Sequence, residues 1–372
     1  MKTNVAVFFG GVSVEHDISV ITGLQALKVL DSSKYKIMPI YITKQGYWRL
    51  YDKIESMEDL KTRRPKKVFL VSGDNNLYEK IGLFNMRLGQ VHCALLCMHG
   101  ASGEDGVLQG VLSASGIPYT SADTKGCAVT MDKHFCKMLL KENGFNVVED
   151  VVISREEWYK DIKSCKAKIS GLGFPLVIKP ASLGSSIGVS VVDSESGLMN
   201  ACELVLEMDD KILAEKYVKS VELNCSAMVK NNSIISSQVE MVFKQSEFLS
   251  FEDKYLKGQK SSKSDLAGMQ SLARKVPAPI SGALTQEIKF LTEGIYKCLE
   301  CFGVIRVDYM LDDDERLYVN EVNVIPGSLA NYLWSEEFDF SALLDNLILN
   351  AIKRKAQKDS LINTIDVPGL SG

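Results

Sequence analysis

The sequence lacks the features that mark nucleic-acid-binding, membrane-spanning and secreted proteins. Its 43 Lys and Arg against 47 Asp and Glu give a net charge of −4, which provides no basic surface for nucleic acid or for an anionic membrane. No segment approaches the roughly 18 consecutive apolar residues of a spanning helix. The N-terminal MKTNVAVFFGG has a short apolar run that ends at a Gly-Gly turn, so we predict a first buried strand and not a signal peptide.

The nine cysteines do not form a disulfide framework, because they are odd in number and scattered. We expect free thiols and a cytoplasmic location, since reducing conditions keep thiols unpaired. Cys298 and Cys301 form one CxxC, but zinc would need two more ligands and none follows at a suitable spacing. Cys93 and Cys97 lie in an apolar run that predicts a buried strand.

Several common catalytic patterns are also missing. No Ser-His-Asp or Cys-His arrangement stands out, and no internal repeat is present. The stretch 174–192 predicts a hairpin with the tip ASLGSSIG, so it fits neither the GxxxxGK[ST] nor the GxGxxG phosphate loop. Its backbone N–H groups could still wrap phosphates. Lys179 before the tip and Ser185 and Ser186 within it are unusual for an inert turn, although a plain hairpin is the alternative.

What is present is an ordinary globular composition, 46% hydrophobic and 24% charged, over 372 residues. A strand over 4–9, a Gly-rich turn, a helix over 15–30 and strands over 34–43 and 91–100 predict an α/β fold with a parallel sheet. The carboxyl ends of such strands carry the chemistry. His99 lies at one of these ends, although a lone His is often only a structural hydrogen-bonding group.

The same pattern divides the chain into three predicted domains. We place an N-terminal substrate-binding α/β domain at 1–124, a central domain at 125–218 and a C-terminal domain at 219–372. Within them, 46–67 predicts a surface insertion, and the long polar stretch 248–270 predicts an active-site lid. Further predicted elements are a helix through 131–133 ending at Gly144, helices near 155–169, 195–208, 284–302 and 340–357, and strands over 211–218 and beyond.

The segment RVDYMLDDDERLYVNEVNVIPG, which begins at Arg306, predicts a β-hairpin with the polar turn DDDER. Both strands are expected to alternate without interruption. Alternate residues share a face, so Arg306 and Asp308 point one way together, and so do Glu321 and Asn323. If the two faces coincide, the oxygen ligands suit Mg²⁺. An edge hairpin with solvated charges is the alternative.

Other charged residues lie at predicted strand ends or in loops. Lys133, Lys179 and the Gly/Ser tip favour a polyphosphate, and Glu215 can accept a hydrogen bond from a ribose or an adenine amine. Lys254 and Arg306 can balance charge on a transferring phosphoryl group. Together these groups suggest ATP-dependent activation of a carboxylate.

Seven segments then carry a family resemblance, and they are FFGGVSVEHDIS, MHGASGEDGVLQGVLSASGIPY, MDKHFCK, FPLVIKPASLGSSIGV, FEDKYL, IRVDYML and YVNEVNVIPG. In order and spacing they resemble the D-alanine–D-alanine ligases of the ATP-grasp superfamily. That family is similar in having three α/β domains, with ATP between the central and C-terminal domains. The resemblance implies a ligase that joins two D-alanines through an acyl phosphate for peptidoglycan synthesis, with ATP and D-alanine as its small-molecule partners, as a homodimer.

The resemblance also implies roles for the matching residues. The residues implied to hold ATP are Lys133, Lys179, Ser185, Ser186, Glu215, Glu222 and Lys254. The residues implied to bind two Mg²⁺ ions, with Mn²⁺ as a substitute, are Asp308, Glu321 and Asn323. The residues implied to hold the substrates are Glu15, His99, Gly327 and Ser328. Glu15, Ser185 and Tyr255 would form a triad that closes the lid, and Arg306 would steady the acyl phosphate.

The sequence departs from the family in two places. The lid begins Phe248-Leu249-Ser250-Phe251, where the family usually has Phe-Tyr-Asp-Tyr. After Gly327 the chain reads SLANYLW, without the Thr that the family usually has before the Ser-Leu or Ser-Met pair that holds the carboxylate of the second substrate. The related alternative is therefore a D-amino-acid ligase with another second substrate, such as D-serine. Tyr255 argues against D-lactate. A catalytically silent nucleotide-binding regulator is the alternative from another class.

Overall fold

The computed structural model describes residues 2–243 and 274–362, which form three β-sheets covered by helices. The predicted lid, with Lys254 and Tyr255, lies outside the described residues. The strands are β1 (Thr3–Gly10), β2 (Tyr35–Ile42), β3 (Trp48–Leu50), β4 (Lys66–Val71), β5 (Asp74–Ile81), β6 (Phe84–Gln90), β7 (Cys93–Leu96), β8 (Asp150–Ser154), β9 (Leu176–Pro180), β10 (Ser190–Val192), β11 (Lys211–Lys216), β12 (Ser220–Lys230), β13 (Ser233–Val242), β14 (Arg274–Lys275), β15 (Ile305–Asp312) and β16 (Leu317–Asn323).

The helices in the described ranges lie between these strands and after them. They are α1 (His16–Val29), α2 (Asp59–Thr62), α3 (Val107–Ala114), α4 (Thr124–Met131), α5 (Lys133–Glu142), α6 (Arg155–Lys160), α7 (Ile162–Ser170), α8 (Glu195–Leu206), α9 (Gly282–Cys298) and α10 (Phe340–Asp359).

The first sheet has the strand order β6-β5-β4-β3-β2-β1-β7. Its core is parallel as predicted, because β1 pairs in parallel with both β2 and β7. The prediction of a surface insertion over 46–67 is wrong, since β3 pairs with β2 and β4 continues the sheet. Strands β4 to β6 add antiparallel pairs at the edge. Strand β6 is mostly exposed, so its sequence carries little of the apolar alternation that identifies a strand.

The predicted helix through 131–133 is two helices, broken at Asp132. The Asp132 side chain accepts hydrogen bonds from the backbone N–H groups of His134 and Phe135, which makes it the N-cap of α5. The Lys133 backbone N–H donates to Ala181 O at 2.9 Å. The start of α5 is therefore tied to the Gly/Ser tip between β9 and β10. The helix near 155–169 divides in the same way, with Asp161 accepting from Ser164 N.

The second sheet has the order β10-β9-β11-β8, and the third is antiparallel with the order β14-β13-β12-β15-β16. Helix α9 covers one face of the third sheet, where Ile288 and Ile295 share a core with Leu223 and Val307. The other face carries polar side chains. Helix α10 packs into the core of the first sheet, so this C-terminal helix joins the N-terminal core.

Eight of the nine cysteines are buried and none forms a disulfide; Cys298 is the one that is partly exposed. Burial raises the pKa of the Cys225 thiol to about 11 and that of Cys202 to about 12. In the described ranges, no helix has the length and apolar character needed to cross a membrane.

Candidate active site

A cavity of about 560 Å³ lies between the loops that follow β1 and β7, the second sheet and the polar face of the third sheet. Most of the residues predicted to form the site line it. They are Glu15, His99, Lys133, Lys179, Ser185, Ser186, Glu215, Glu222, Arg306, Asp308, Glu321, Asn323 and Gly327. Residues far apart in the sequence therefore meet in one space.

One side of this cavity carries a cluster of lysines around a single carboxylate. Glu215 on β11 lies 2.7 Å from the ammonium groups of both Lys179 and Lys137. Burial alone would raise the pKa of Glu215, but these two ammonium groups outweigh it and lower the pKa to about 2. Burial and the neighbouring lysines lower the pKa of Lys179. The cluster has more positive than negative charge, which suits a polyphosphate.

Sequence reasoning missed Lys137, which does not line the cavity but supports Glu215 from behind. It lies one helical turn after Lys133 on α5, and its side chain is 4% exposed. The i, i+4 spacing of the two lysines places them on one helix face. That spacing was the available signal, although it does not show which carboxylate Lys137 meets.

Another side of the cavity is built around Glu15, directly before α1. The Ser185 hydroxyl donates a hydrogen bond to Glu15 Oε1. Glycines make room for this carboxylate, because a Cβ at Gly100 would lie 2.8 Å from Glu15 Oε2 and one at Gly184 would lie 3.1 Å from it. The structure thus brings together two members of the predicted triad, and Tyr255 lies outside the described residues.

His99 follows strand β7 and is buried near the loop that carries Glu15. Burial lowers the pKa of His99 to about 4, and the nearby Arg306 guanidinium adds to the effect. Its Nε2 lies 2.8 Å from Thr22 Oγ1, and that oxygen accepts a hydrogen bond from Ser328 N at 3.2 Å. Because a hydroxyl that accepts can still donate, this arrangement fits a neutral His99 that accepts at Nε2.

The hairpin β15–β16 is confirmed, but its second strand does not alternate without interruption as predicted. Asp308 pairs with Glu321 and Arg306 with Asn323, yet the register shifts after Asp308. Asn320 is the additional residue of this β-bulge. Without the bulge, the register farther along the hairpin would place Asn320 opposite Asp308 and turn Glu321 away from the cavity. The bulge therefore makes the two polar faces coincide.

The apolar residues of β16 carry the sequence signal of this bulge. Leu317 and Val319 are buried, and the next buried positions are Val322 and Val324. The spacing of three between Val319 and Val322 cannot occur on one face of a regular strand, where the period is two.

The oxygen atoms on this hairpin fit a hard divalent cation. Burial raises the pKa of Asp308, and the negative charges of Glu222 and Glu321 add to the effect against the opposing Arg306. A cation would therefore stabilise the carboxylates. No group of three or more His, Cys, Asp or Glu side chains gathers for a metal in the part of the chain that the structure describes. An ion held by Asp308, Glu321 and Asn323 would take its other oxygen ligands from water and phosphate, as Mg²⁺ commonly does.

Arg306 makes a two-pronged contact with Asp308. Its Nε donates to Asp308 Oδ1 at 2.6 Å and its Nη2 donates to Oδ2 at 2.7 Å. Asn323 Nδ2 also donates to Asp308 Oδ2, at 3.1 Å. The guanidinium is thus fixed next to the proposed metal ligands, where it can face a transferred phosphoryl group.

The segment after Gly327 differs from the expectation. Ser328 is buried and does not line the cavity, and its backbone N–H is engaged by Thr22. Ser328, Leu329 and Ala330 all have φ near +50°, a left-handed turn that non-glycine residues rarely adopt. Trp334 is fully buried, and its Nε1 donates to Ser226 Oγ at 3.0 Å. The turn is therefore anchored in the core.

The site also includes Glu104, which joins the loop after β7 to the end of β16. Its Oε2 accepts from Gly100 N at 2.7 Å, and its Oε1 accepts from Ile325 N at 3.1 Å. Loss of hydration raises the pKa of Glu104 to about 8, and the nearby Glu15 contributes. This carboxyl group links two segments that carry predicted substrate residues.

Comparison with known proteins agrees with this geometry. Residues 4–122 match the family model of the D-ala D-ala ligase N-terminus, and residues 139–349 match that of the D-ala D-ala ligase C-terminus. A D-alanine–D-alanine ligase of Thermosipho africanus (strain TCF52B) is 39% identical over 372 residues, covering 98% of this chain and 97% of the relative. One of Caldicellulosiruptor bescii is 35% identical, covering 97% and 98%.

Solved structures give the same result. The D-alanine-D-alanine ligase from Coxiella burnetii superposes with a TM-score of 0.79 at 25% identity, covering 97% of each chain. The VanG D-Ala:D-Ser ligase from Enterococcus faecalis superposes with a TM-score of 0.78 at 27% identity, covering 94% of this chain and 100% of that one.

A lysine-lined cavity beside a carboxylate hairpin, built on these three sheets, defines an ATP-grasp enzyme, an ATP-dependent ligase. This confirms the fold expected from the seven segments. The chain belongs to the D-alanine–D-alanine ligase family. The family uses ATP and a divalent metal ion. The names of the full-length relatives do not favour the D-serine alternative.

Proposed function

We propose that this protein joins two D-alanine molecules into D-alanyl-D-alanine with the consumption of one ATP, supplying peptidoglycan synthesis. One observation carries the proposal: a single cavity is lined by the carboxylate of Glu15, by a lysine cluster around Glu215 and by the fixed guanidinium of Arg306. A carboxylate is a poor acyl donor because its leaving group would be oxide. Phosphorylation supplies phosphate as the leaving group.

The first step transfers the γ-phosphoryl group of ATP to a carboxylate oxygen of the first D-alanine, giving ADP and an acyl phosphate. We assign ATP to Lys133, Lys179, Glu215 and Glu222, with Ser186 in the tip over the phosphates. Surplus positive charge around Glu215 supports this assignment. Lys254 is assigned to the γ-phosphate from the family resemblance.

In the second step the amine of the second D-alanine attacks the acyl carbon. The C–N bond forms, the C–O bond to phosphate breaks, inorganic phosphate leaves and the amine gives a proton to water or to the departing phosphate. Glu15 is assigned to the ammonium of the first D-alanine, with His99 beside it and Ser185 and Tyr255 completing the triad. Arg306 steadies charge on the phosphoryl group. The backbone N–H of Gly327 is a further donor.

We assign Asp308, Glu321 and Asn323 to two Mg²⁺ ions, which neutralise phosphate charge when bound. The same proposal places the domain boundaries near residues 124 and 218 and the protein in the cytoplasm as a homodimer. The nine unpaired cysteines support a reducing compartment.

The test is ADP release with purified protein, ATP and Mg²⁺, with and without D-alanine, and identification of the product by mass. We expect ADP release that depends on D-alanine and an equal amount of D-alanyl-D-alanine. A panel with D-serine and D-lactate as competing acceptors defines the second substrate. A higher kcat/KM for D-serine, or ADP release without dipeptide, would contradict the proposal.

A further inference from the structure

Arg274, on the edge strand β14, has an unpaired guanidinium edge beside the cavity. The residue lines the cavity, and its side chain is 13% exposed. Its Nε and Nη2 atoms are buried and have no hydrogen-bond partner among residues 2–243 and 274–362. Two adjacent buried donors without a partner are costly, since each has given up its hydration. Their presence points to a ligand.

The rest of the guanidinium is held by two neighbours. Its Nη1 lies 3.4 Å from Glu240 Oε2, and its carbon lies 4.4 Å from the centre of the Tyr332 ring. Glu240 is 1% exposed, and its other oxygen accepts hydrogen bonds from Asn224 Nδ2 at 2.9 Å and from the Tyr332 hydroxyl at 2.8 Å. These contacts fix the guanidinium and leave its Nε–Nη2 edge without a hydrogen-bond partner in the described chain.

The unpaired edge has the geometry of a carboxylate-binding fork. The Nε–H and Nη2–H bonds of arginine run side by side and match the two oxygens of a carboxylate. Arg306 uses this same pair of atoms on Asp308, at 2.6 and 2.7 Å. Arg274 thus offers a second fork of the same kind, without an acid of the described chain in it.

Arg274 lies at the end of a row of polar side chains on the third sheet. Glu240, Asn224 and Asp308 lie directly opposite one another on β13, β12 and β15, so they form one row across the polar face. Neighbouring strands are about 4.8 Å apart, which puts Glu240 about 10 Å from Asp308 along that row. Arg274 contacts Glu240 at one end of this row, and Arg306 contacts Asp308 at the other end.

We propose that Arg274, held in place by Glu240 and Tyr332, binds the carboxylate of the second D-alanine, the acceptor. The inference rests on the function proposed above, in which the acceptor brings a carboxylate that must be held while its amine attacks. Tyr332 belongs to the segment after Gly327, which lacks the family's Thr and in which Ser328 is buried outside the cavity with its backbone N–H bonded to Thr22. In this chain that segment positions an arginine on β14 instead of supplying the polar donors itself.

The test compares Arg274→Gln with Arg274→Lys and with the control Lys275→Gln. Lys275 is the exposed neighbour on the same strand, and its side chain points to the other face. Each variant is assayed for dipeptide formation with D-alanine as acceptor and with D-alaninamide, which has no carboxylate. Separate KM values are measured for ATP, for the first site and for the acceptor site, and thermal unfolding checks the fold.

We expect Arg274→Gln to raise the acceptor KM about 10- to 100-fold, the effect of losing a charged hydrogen-bond partner. The KM for ATP and for the first site should change less than about twofold. The preference of the wild type for D-alanine over D-alaninamide should fall by the same factor as the acceptor KM rises, which a merely structural role would not produce. Arg274→Lys should recover part of the affinity, and Lys275→Gln should behave as the wild type.

The outcomes separate the two proposals. If the wild type forms no dipeptide, the proposed function is wrong. If the wild type forms dipeptide and Arg274→Gln keeps its preference for D-alanine over D-alaninamide, only the role of Arg274 is wrong. A rise confined to the KM for ATP would assign the fork to a phosphate and would also overturn the inference.

Discussion

At the scale of single residues, burial decides the charge state of two groups that line the cavity. His99 is 4% exposed, and burial lowers its pKa to about 4 from an ordinary value of 6.5. Glu104 moves the other way, to about 8. Both shifts favour the neutral form, so the cavity floor carries less charge than its composition indicates.

The His99 shift predicts an acid sensitivity of the fold. Between pH 6.5 and 4 the unfolded chain binds a proton at this residue and the folded chain does not, so stability falls as the pH decreases through this window. We expect His99→Gln to lose less stability than the wild type between pH 7.5 and 5, by about 2 kcal/mol. Urea unfolding at the two pH values measures this difference.

The control is His92→Gln, at a histidine that does not line the cavity. An equal loss of stability in the wild type and in His99→Gln would show that His99 titrates alike in the folded and unfolded states.

At the scale of secondary-structure elements, the hairpin β15–β16 shows how one inserted residue creates a site. The bulge at Asn320 places Glu321 opposite Asp308 and Asn323 opposite Arg306. Val319 and Val322 remain buried on the other face. The hairpin thus presents two carboxylates to the cavity without exposing its apolar side.

The hairpin predicts a strong effect of charge removal at two positions. Asp308→Asn and Glu321→Gln should each lower kcat at least about 100-fold at saturating Mg²⁺, because each removes a charged ligand of the proposed metal ions. Asp314→Asn, on the exposed turn of the same hairpin, is the matched control and should retain activity.

Steady-state ADP release measures all three variants, and circular dichroism checks their folding. Turnover within about threefold of the wild type in Asp308→Asn or Glu321→Gln would remove the assignment of these residues to the metal.

Elements also show what the sequence could and could not predict. Strands β1, β2 and β7 were predictable because they are buried apolar runs. Strand β6 was not, because exposure removes the alternation on which such a prediction depends. The break at Asp132 and the bulge at Asn320 each depend on one residue inside an otherwise regular pattern. A prediction from the average pattern of many residues does not detect such a single exception.

The candidate site divides in a similar way. Residues in motifs, such as Lys179 and Glu321, could be selected from the sequence because each has a distinctive local neighbourhood. Lys137 and Arg274 could not, because their importance lies in partners distant along the chain, Glu215 for one and Glu240 with Tyr332 for the other. Long-range pairing of this kind becomes visible only in the folded protein.

At the scale of the whole molecule, the three sheets leave their polar groups around one cavity and their apolar groups in separate cores. Helix α10 closes the core of the first sheet, although it follows the third sheet in the sequence. Changes in the packing of this helix should therefore alter the position of β1, the strand that precedes Glu15.

The burial of thiols over the whole molecule predicts how the protein reacts with a thiol reagent. Eight cysteines are buried and Cys298 alone is partly exposed. We expect a brief treatment with a coloured disulfide reagent to modify about one thiol in the native protein and all nine in denaturant. The Cys298→Ser variant should lose this one reactive thiol. Modification of several thiols in the native protein, or of none in the native wild type, would contradict this distribution.

Cys298 ends α9, the helix that covers the third sheet on the side away from the cavity. A maleimide dye added to the unmodified protein should therefore attach at a single known position, and the dye would stay clear of ATP and both amino acids. The natural sequence thus provides a fluorescent reporter for rotational diffusion and subunit association, without the removal of any other cysteine.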